Sequence, residues 1–457
     1  MDRYDILIIG GGQAGIPLAH ALARAGKRVA LAERKDLGGS CVNFGCTPTK
    51  AVIASARAAF QARRGAVFGL RIPVVEADFP SVLDRARSIV MQSRGSLERG
   101  FESRENLRLL SGHARLSGRD GEAFRVRVGE EHILAARVVL NTGARSHVPP
   151  IPGLAKTDYL HAGNWLDEHS LPSHVVFIGA GYIALEMSQF YLRMGCRVTV
   201  VEKSDRILQR EDEDVVFLLQ RLLESEGVEF RLKSEIIRVE PRRGGPVLLV
   251  RSNGFRGEIA ASRIFVGAGR RPNTDDLGLQ TVGVKTSKKG FVEVDDGLAT
   301  SVRGIWAAGD IRGGPMFTHT SWDDYRILES QLMGDGSHTT RRVVPYAVYT
   351  DPELGRVGQT ETEARQAGAE IKVGRFEMRN SGKAREISET EGLIKIVVEA
   401  ASGRILGASV LACDGAELVH MCVDLMNAGA PYTVLRDAVH IHPTLAEAVQ
   451  SAAASIP

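Results

Sequence analysis

Short apolar runs that end on glycine, each followed by a stretch of helical period, organise the first half of the chain. Ile6 to Ile9 runs into Gly10-Gly11-Gly12-Gln13-Ala14-Gly15, a helical stretch follows to Gly26, and Val29 to Ala32 then leads to Glu33. Runs of this length bounded by glycine predict buried parallel strands, so the segment reads β-α-β. The same figure recurs where Val175 to Ile178 enters Gly179-Ala180-Gly181-Tyr182-Ile183-Ala184 and Val198 to Val201 delivers Glu202. Gly10 to Glu33 and Gly179 to Glu202 each span 23 positions, so one unit has been used twice.

Between the two units, helical patterns are expected around residues 50–66 and 81–105, and surface hairpins in the Gly/Arg-rich stretch 117–129. Ser146 to Gly153 holds three prolines and reads as a crossover linker. From Tyr346 onward, β-rich segments (Leu393 to Val398, Ile405 to Val410) alternate with helices and end in a helical tail over Thr433 to Ala454. This divides the chain into 1–148, 149–270, a central segment 271–340, and a separate α+β unit 341–457.

Composition adds exclusions. At 457 residues the chain is too long for one small domain, and 44% hydrophobic with 25% charged residues is ordinary for a folded globular protein. A net charge of +3 with both signs interspersed points to neither a nucleic-acid nor a membrane partner. The run before the first glycines is too short for a signal segment or a span, and five cysteines with one close pair do not form a secreted disulfide framework. A cytoplasmic protein is expected.

A Gly-x-Gly-x-x-Gly turn between strand and helix admits a pyrophosphate against the backbone and the helix N-terminus, while an acidic residue at the end of the second strand accepts from a ribose hydroxyl. Gly10, Gly12, Gly15 and Glu33 supply these parts in the first copy; Gly179, Gly181, Ile183 with Ala184, and Glu202 supply them in the second. A glycine string alone is only a tight turn. Glu202 would repel a 2′-phosphate, which favours NADH over NADPH, although Lys203 and Arg206 lie close by.

Just past the first unit stands Gly38-Gly39-Ser40-Cys41-Val42-Asn43-Phe44-Gly45-Cys46-Thr47-Pro48-Thr49-Lys50. In a regular helix, residues five apart are separated by roughly 7.5 Å along the axis, at the limit of a disulfide, so bonding Cys41 to Cys46 requires a distorted first turn. Gly45 and Pro48 permit one. A thiolate at a helix N-terminus is stabilised and nucleophilic, whereas Cys196, Cys413 and Cys422 have no such setting and read as core.

The GGSCVNFGCTPTK string with both fingerprints resembles the class I pyridine nucleotide-disulfide oxidoreductases, which include dihydrolipoamide dehydrogenase, glutathione reductase and mercuric reductase. The likeness covers essentially the whole chain through Asn141-Thr142-Gly143, Gly269-Arg270-Arg271-Pro272-Asn273, Gly304 to Asp310, and His442-Pro443-Thr444-Leu445-Ala446-Glu447. It implies an α/β fold of glutathione-reductase type: an FAD-binding domain, an NAD(P)-binding domain, a central segment completing the FAD site and a C-terminal α+β dimerisation domain. By resemblance, Gly39, Ser40, Thr142, Gly143, Asp310 and Thr318 belong to the FAD site, and Gly269 and Arg270 to cofactor binding. Cys41 becomes the interchange thiol and Cys46 the flavin-side thiol; Lys50 lies by the flavin, paired with Glu186. His442 becomes the base, oriented by Glu447 and acting on the partner subunit of a homodimer. No residue is assigned to a resident metal.

Phe317 to Ile327 and Ala430 to Asp437 look more like the mercuric-reductase-like flavoproteins grouped with the reactive-chlorine-resistance reductases. No vicinal cysteine pair follows Cys422, which argues against mercury reduction. The expected activity carries electrons from NAD(P)H through FAD to the Cys41–Cys46 disulfide and on to a small disulfide, a thiol oxidant or a metal ion. The rivals are a dihydrolipoamide dehydrogenase of a 2-oxo-acid dehydrogenase complex, a mercuric-reductase-like metal reductase, and a flavoprotein whose cysteines sense redox state without turnover.

Overall fold

Strand β1 (Asp2–Ile9) is central because both of its faces are apolar: Leu7 and Ile9 enter one core while Ile6 and Ile8 enter another on the opposite side of the sheet. The computed structural model describes residues 1–102, 104–252 and 254–457. Helix α1 (Gly15–Arg24), β2 (Val29–Glu33), α2 (Gly39–Asn43), α3 (Cys46–Arg63), α4 (Phe79–Glu102) and β3 (Leu107–Ser111) follow. Three antiparallel strands come next: β4 (Ala114–Asp120), β5 (Ala123–Val128) and β6 (Glu131–Leu140). The sheet runs β3-β2-β1-β6-β5-β4.

Strands β7 (Ala144–Ser146) and β8 (Leu160–His161) lead to a second unit of β9 (His174–Ile178), α5 (Tyr182–Arg193), β10 (Arg197–Val201), α6 (Glu213–Glu226) and β11 (Glu229–Arg231). Here Val175 and Phe177 face one core while Val176 and Ile178 face another, as in β1. The parallel registers repeat as well: Ile6 pairs Val29 and Val175 pairs Val198, each 23 positions apart. The 117–129 stretch, expected as hairpin, is the β4–β5 turn region.

A hairpin sheet, β12 (Ser234–Arg242), β13 (Gly245–Ser252) and β14 (Phe255–Ala260), precedes β15 (Arg263–Val266), which pairs with β9, and β16 (Arg270–Pro272), which pairs with β7. Strand β17 (Ile305–Ala307) then returns to the first sheet beside β6, and α7 (Thr318–Met333) follows. The last sheet has the order β18-β19-β22-β21-β20, from β18 (Pro345–Val348), β19 (Glu353–Gly358), β20 (Ile371–Glu377), β21 (Leu393–Glu399) and β22 (Ile405–Ala412). Helix α8 (Glu361–Gln366) joins β19 to β20.

Buried charge clamps this last sheet to the second unit. The Lys395 ammonium, 3% exposed, lies 3.0 Å from Asp212 and 2.9 Å from both Asp214 and Glu361. Asp212 also accepts from the Glu361 and Thr362 N–H groups, so a carboxylate of the second unit caps the N-terminus of α8. Arg356, also buried, pairs with Glu211 at 2.6 Å. Removing this cation leaves the buried Asp212 carboxylate without a charged partner, whereas Glu361 and Asp214 keep Arg375. Lys395→Met is expected to lower stability by about 3–5 kcal/mol, read as a fall in the denaturant midpoint against wild type.

Candidate active site

Each glycine-rich turn is shaped by what a side chain would strike. Gly10 has φ +111°, and a Cβ there would lie 2.3 Å from the Asn141 carbonyl oxygen; a Cβ on Gly15 would lie 2.3 Å from the Gly10 oxygen. In the second turn Gly179 has φ +96° and faces the Gly267 carbonyl, whereas a Cβ on Gly181 would meet nothing within 4 Å. The chain's own packing therefore does not require Gly181, and its bareness keeps space open in front of α5 for another group.

The acidic residues do more than the sequence indicates. Glu33 accepts from the Gly11 N–H at 2.8 Å and the Lys35 N–H at 2.9 Å, and Glu202 accepts from the Ala180 and Ser204 N–H groups, both at 2.9 Å. Each carboxylate braces its own turn and keeps lone pairs for a further donor. Asn141, the first residue of the Asn141-Thr142-Gly143 block, accepts from the Gly15 N–H at 2.9 Å and donates to the Ala308 carbonyl at 2.8 Å, tying the start of α1 to the loop after β17.

A cavity of about 820 Å³ runs from the first turn to the cysteines. Gly10, Gly12 and Glu33 line one end; Gly39, Ser40, Thr142 and Gly143 follow; Cys41, Cys46, Lys50, Glu186 and Ile183 line the other, with Arg270, Asp310 and Thr318. Gly15, Gly179, Gly181, Glu202 and Gly269 lie outside this lining. The first fingerprint and the cysteine pair thus share one space, into which the start of α5 also opens.

The expected distorted turn is a break between two helices instead. Helix α2 stops at Asn43, α3 begins at Cys46, and Gly45 between them has φ −99° and ψ −124°. A Cβ on Gly45 would lie 2.7 Å from the Ser40 oxygen, which accepts the Gly45 N–H at 2.7 Å, so the tight return admits glycine only. Trp165 Nε1 donates to the Phe44 carbonyl at 2.9 Å and pins the break. Both cysteines are free thiols, and Cys196, Cys413 and Cys422 are buried.

The pair titrates asymmetrically. The hydrogen bond from Cys41 holds Cys46 at a pKa of about 6, against burial and with help from the Lys50 charge and Thr318, whose Oγ1 lies 3.3 Å from the sulfur. The same hydrogen bond, with burial, drives Cys41 far above an ordinary thiol. Lys50, in the second turn of α3, places Nζ 2.8 Å from Glu186 Oε2 and 4.2 Å from the Tyr349 ring centroid. Glu186 Oε1 accepts the Tyr349 N–H at 2.9 Å. Burial opposes the Lys50 charge, but Glu186 and Cys46 outweigh it and raise its pKa.

His442 stands elsewhere. Its Nδ1 lies 3.0 Å from Glu447 Oε1, and Glu447, whose carboxyl the Thr444 N–H and the imidazole hold below its usual range, accepts that N–H at 2.8 Å. The imidazole is 78% exposed and does not line the cavity. Val439 and Ile441 beside it are 101% and 79% exposed, so this tail presents apolar surface that nothing among the described residues covers.

Known proteins share this arrangement. The family model described as pyridine nucleotide-disulphide oxidoreductase matches residues 4–324, and that of the family's dimerisation domain matches 344–453. The chain belongs to the pyridine nucleotide-disulphide oxidoreductase family. It is 33% identical to the "Probable pyridine nucleotide-disulfide oxidoreductase RclA" of Escherichia coli (strain K12) over 98% of each chain. It is 32% identical to the mitochondrial dihydrolipoyl dehydrogenase of Pisum sativum, over 99% of this chain and 91% of that one. A solved structure, the "Cu(II) complex of HOCl-induced flavoprotein disulfide reductase RclA from Escherichia coli", superposes with a TM-score of 0.90, 33% identity and 99% of both chains covered.

The protein is therefore a flavin-dependent pyridine nucleotide-disulfide oxidoreductase with the glutathione-reductase-like fold, and its family implies FAD and a pyridine nucleotide. The cavity residues of this oxidoreductase fit FAD. Arg270 pairs with Asp310 at 3.3 Å, yet its Nε is buried without a partner among the described residues; burial raises the Asp310 carboxyl against the pull of Arg270. A buried donor lacking an acceptor and a carboxylate short of donors together suit a ligand rich in hydroxyls and carbonyls. Among the described residues no group of three or more His, Cys, Asp or Glu is placed to hold a metal ion, and no helix is long and apolar enough to cross a membrane.

Cys46 is depressed and Cys41 raised, so between about pH 6 and the usual thiol range the unfolded chain binds more protons than the reduced fold. The Cys46 contribution is complete above the unfolded thiol pKa and disappears as pH falls through about 6. Reduced protein is thus expected to gain thermal midpoint on raising pH from 6 to 8, and Cys46→Ser to lose most of that gain, in paired melts under reductant.

Proposed function

We propose that this oxidoreductase is an NADH-dependent reductase that discharges through Cys41 and Cys46 into a low-molecular-weight disulfide, a thiol oxidant or a metal ion. The observation that carries the reading is the pair of hydrogen-bonded thiols in the cavity, with the Lys50–Glu186 ion pair one helical turn beyond. FAD, when bound, supplies the two-electron relay between the nicotinamide and the disulfide. The first turn, with Gly10, Gly12, Gly15 and Glu33, would hold its pyrophosphate and adenosine ribose; Asp310 would take its ribityl chain; Gly39, Ser40, Thr142, Gly143 and Thr318 would complete the walls. Gly179, Gly181, Ile183, Glu202 and Gly269 serve the nicotinamide nucleotide, and Arg270, paired with Asp310, serves the FAD side. NADH is favoured because Glu202 is fixed by two N–H groups while Lys203 pairs with Glu235 and Arg206 donates to the Gln209 carbonyl, which leaves neither of these cations aimed at a 2′-phosphate.

In the discharge step, Cys41 as thiolate attacks one sulfur of the substrate disulfide, forming a mixed disulfide and releasing one thiolate. Cys46 thiolate then attacks the Cys41 sulfur, releasing the second thiolate and restoring the internal disulfide. Because Cys41 is the harder of the two to ionise, it needs a base; His442 of the partner subunit, oriented by Glu447, takes its proton and returns it to the leaving thiolate. The exposed tail around His442 and the family's dimerisation domain support this homodimeric arrangement, in a reducing cytoplasm. The domain division is 1–148 for FAD, 149–270 for NADH, 271–340 completing the FAD site and 341–457 for the interface.

A second reading, a dihydrolipoamide dehydrogenase, draws on the 32% identity to the Pisum sativum enzyme. The two separate by direction and acceptor. NADH loss with a small disulfide, with an N-chlorinated or hypochlorite oxidant, or with Cu(II), the ion of the Escherichia coli RclA complex, is expected to exceed turnover of dihydrolipoamide with NAD. The reverse order, or silence with every acceptor, overturns the reductase reading. Cys41→Ser is expected to abolish acceptor-dependent turnover, and His442→Gln to lower kcat roughly 100- to 10,000-fold.

A further inference from the structure

Tyr349 belongs to the segment that leads from β18 to β19, yet its side chain lines the cavity and not the core of its own sheet. We infer that Tyr349 is a positioning residue for the Lys50–Glu186 pair: its ring seats the Lys50 ammonium, its backbone N–H orients the Glu186 carboxylate, and the dimerisation segment thereby fixes where the positive charge beside Cys46 stands. The inference rests on the reading of Lys50 as the cation of the redox site.

Two contacts of different chemistry converge on one ion pair. The Nζ of Lys50 stands 4.2 Å from the ring centroid of Tyr349 and 2.8 Å from Glu186 Oε2, while Glu186 Oε1 takes the N–H of the same tyrosine at 2.9 Å. One residue therefore touches both partners, the cation through a π face and the anion through the main chain. Among the described residues the Tyr349 hydroxyl makes no hydrogen bond and its ring stacks on no other aromatic, so the ammonium is the neighbour that gives the ring a defined task. An ammonium has three donors and a long flexible stem. Glu186 fixes one donor direction, and a ring face adds the second constraint that a monodentate pair lacks. A contact of this kind alters the seated population roughly two- to thirtyfold. Glu186 itself is 4% exposed, so its carboxylate cannot turn to water if the N–H is displaced.

The groups facing Cys46 are Cys41, Lys50, Glu186, Tyr349 and Tyr182, with Thr318 as a hydrogen-bond partner. Lys50 is the cation among them, so its position is read through the acidity of that thiol. The test uses FAD-loaded enzyme carrying Cys41→Ser, in which Cys46 has no disulfide partner. Its ionisation is followed against pH by iodoacetamide labelling located by mass spectrometry and by the long-wavelength absorption of a thiolate beside oxidised flavin. Lys50→Met sets the scale with an upward shift of the midpoint. Tyr349→Leu is expected to move the midpoint upward by roughly half a unit or more. Tyr349→Phe should restore the parent profile. Replacing residue 349 by phenylalanines of increasing fluorination, which weaken the π face at nearly constant volume, should raise the midpoint in order of fluorine number. That series also decides the matter if the leucine variant does not fold. Profiles that overlay for every variant at 349 while Lys50→Met shifts would overturn the role of Tyr349; an unshifted Lys50→Met would overturn the underlying reading of Lys50.

Discussion

The ion pair between Lys50 and Glu186 is the constraint around which the site is assembled. Lys50 comes from α3, which follows the first β-α-β unit, Glu186 from α5 of the second, and the N–H that completes the carboxylate from the segment before β19. Three parts of the chain far apart in sequence therefore meet at one buried carboxylate, 4% exposed. Such a pair contributes little net stability, since desolvating both charges costs about as much as their attraction returns. What it provides is geometry. Breaking either side leaves a charge buried without compensation, so α3 and α5 are held in one relative placement, and with them Cys46 at the start of one helix and the mouth of the second turn at the start of the other.

The same economy of parts runs through the two glycine turns. Glu33 and Glu202 each close a hydrogen-bonded loop onto the second residue of their own turn and onto the residue two positions further along the chain. Where the copies differ, local packing explains it. A Cβ on Gly15 would strike the Gly10 carbonyl, whereas Ala184 fits because Gly267 faces it, and a Cβ on Gly267 would come within 3.0 Å of the Ala184 side chain. In the second unit the small residue has moved from the helix to the neighbouring strand end.

Much of this architecture is legible in the sequence because it depends on local rules. Strand runs, glycine turns and the 23-residue register are set by side-chain period and backbone sterics, which a single sequence displays. The cysteine motif is readable as a need for irregular backbone, but not its form, since a bent first turn and a break at Gly45 make the same demand on composition. What cannot be read are contacts made at long range. Asn141 joins α1 to the loop after β17, Trp165 fastens Phe44, and Tyr349 meets Lys50, each across more than a hundred positions. Nothing in the immediate neighbours of Trp165 or Tyr349 marks them, and the Asn141-Thr142-Gly143 block marks a position without showing its contacts. The acidic run Glu211 to Asp214 has the composition of a solvated helix start, and only the arrival of Arg356 and Lys395 from the last sheet makes it an interdomain clasp.

The division of labour between the two thiols follows from their hydrogen bond and the Lys50 charge. The bond from Cys41, with Lys50 beside it, favours charge on Cys46, and the ionised sulfur suppresses a second ionisation beside it. The resting dithiol thus holds its proton on the sulfur that must attack a substrate, and the negative charge on the sulfur that faces inward under the proposed reading. A single chain offers no remedy in its cavity: among the residues lining it, His113, His161 and His319 carry imidazoles, yet His319 donates to the Pro345 carbonyl and burial disfavours its charged form, His161 accepts from the Gly163 N–H, and His113 lies by Asp276 at the opposite end. The imidazole braced by a carboxylate is His442, carried on an exposed apolar tail. Under the proposed reading, a site whose nucleophile is held protonated and whose oriented base points out of the chain would be completed by a second copy, the dimerisation domain then supplying a reacting group as well as an interface.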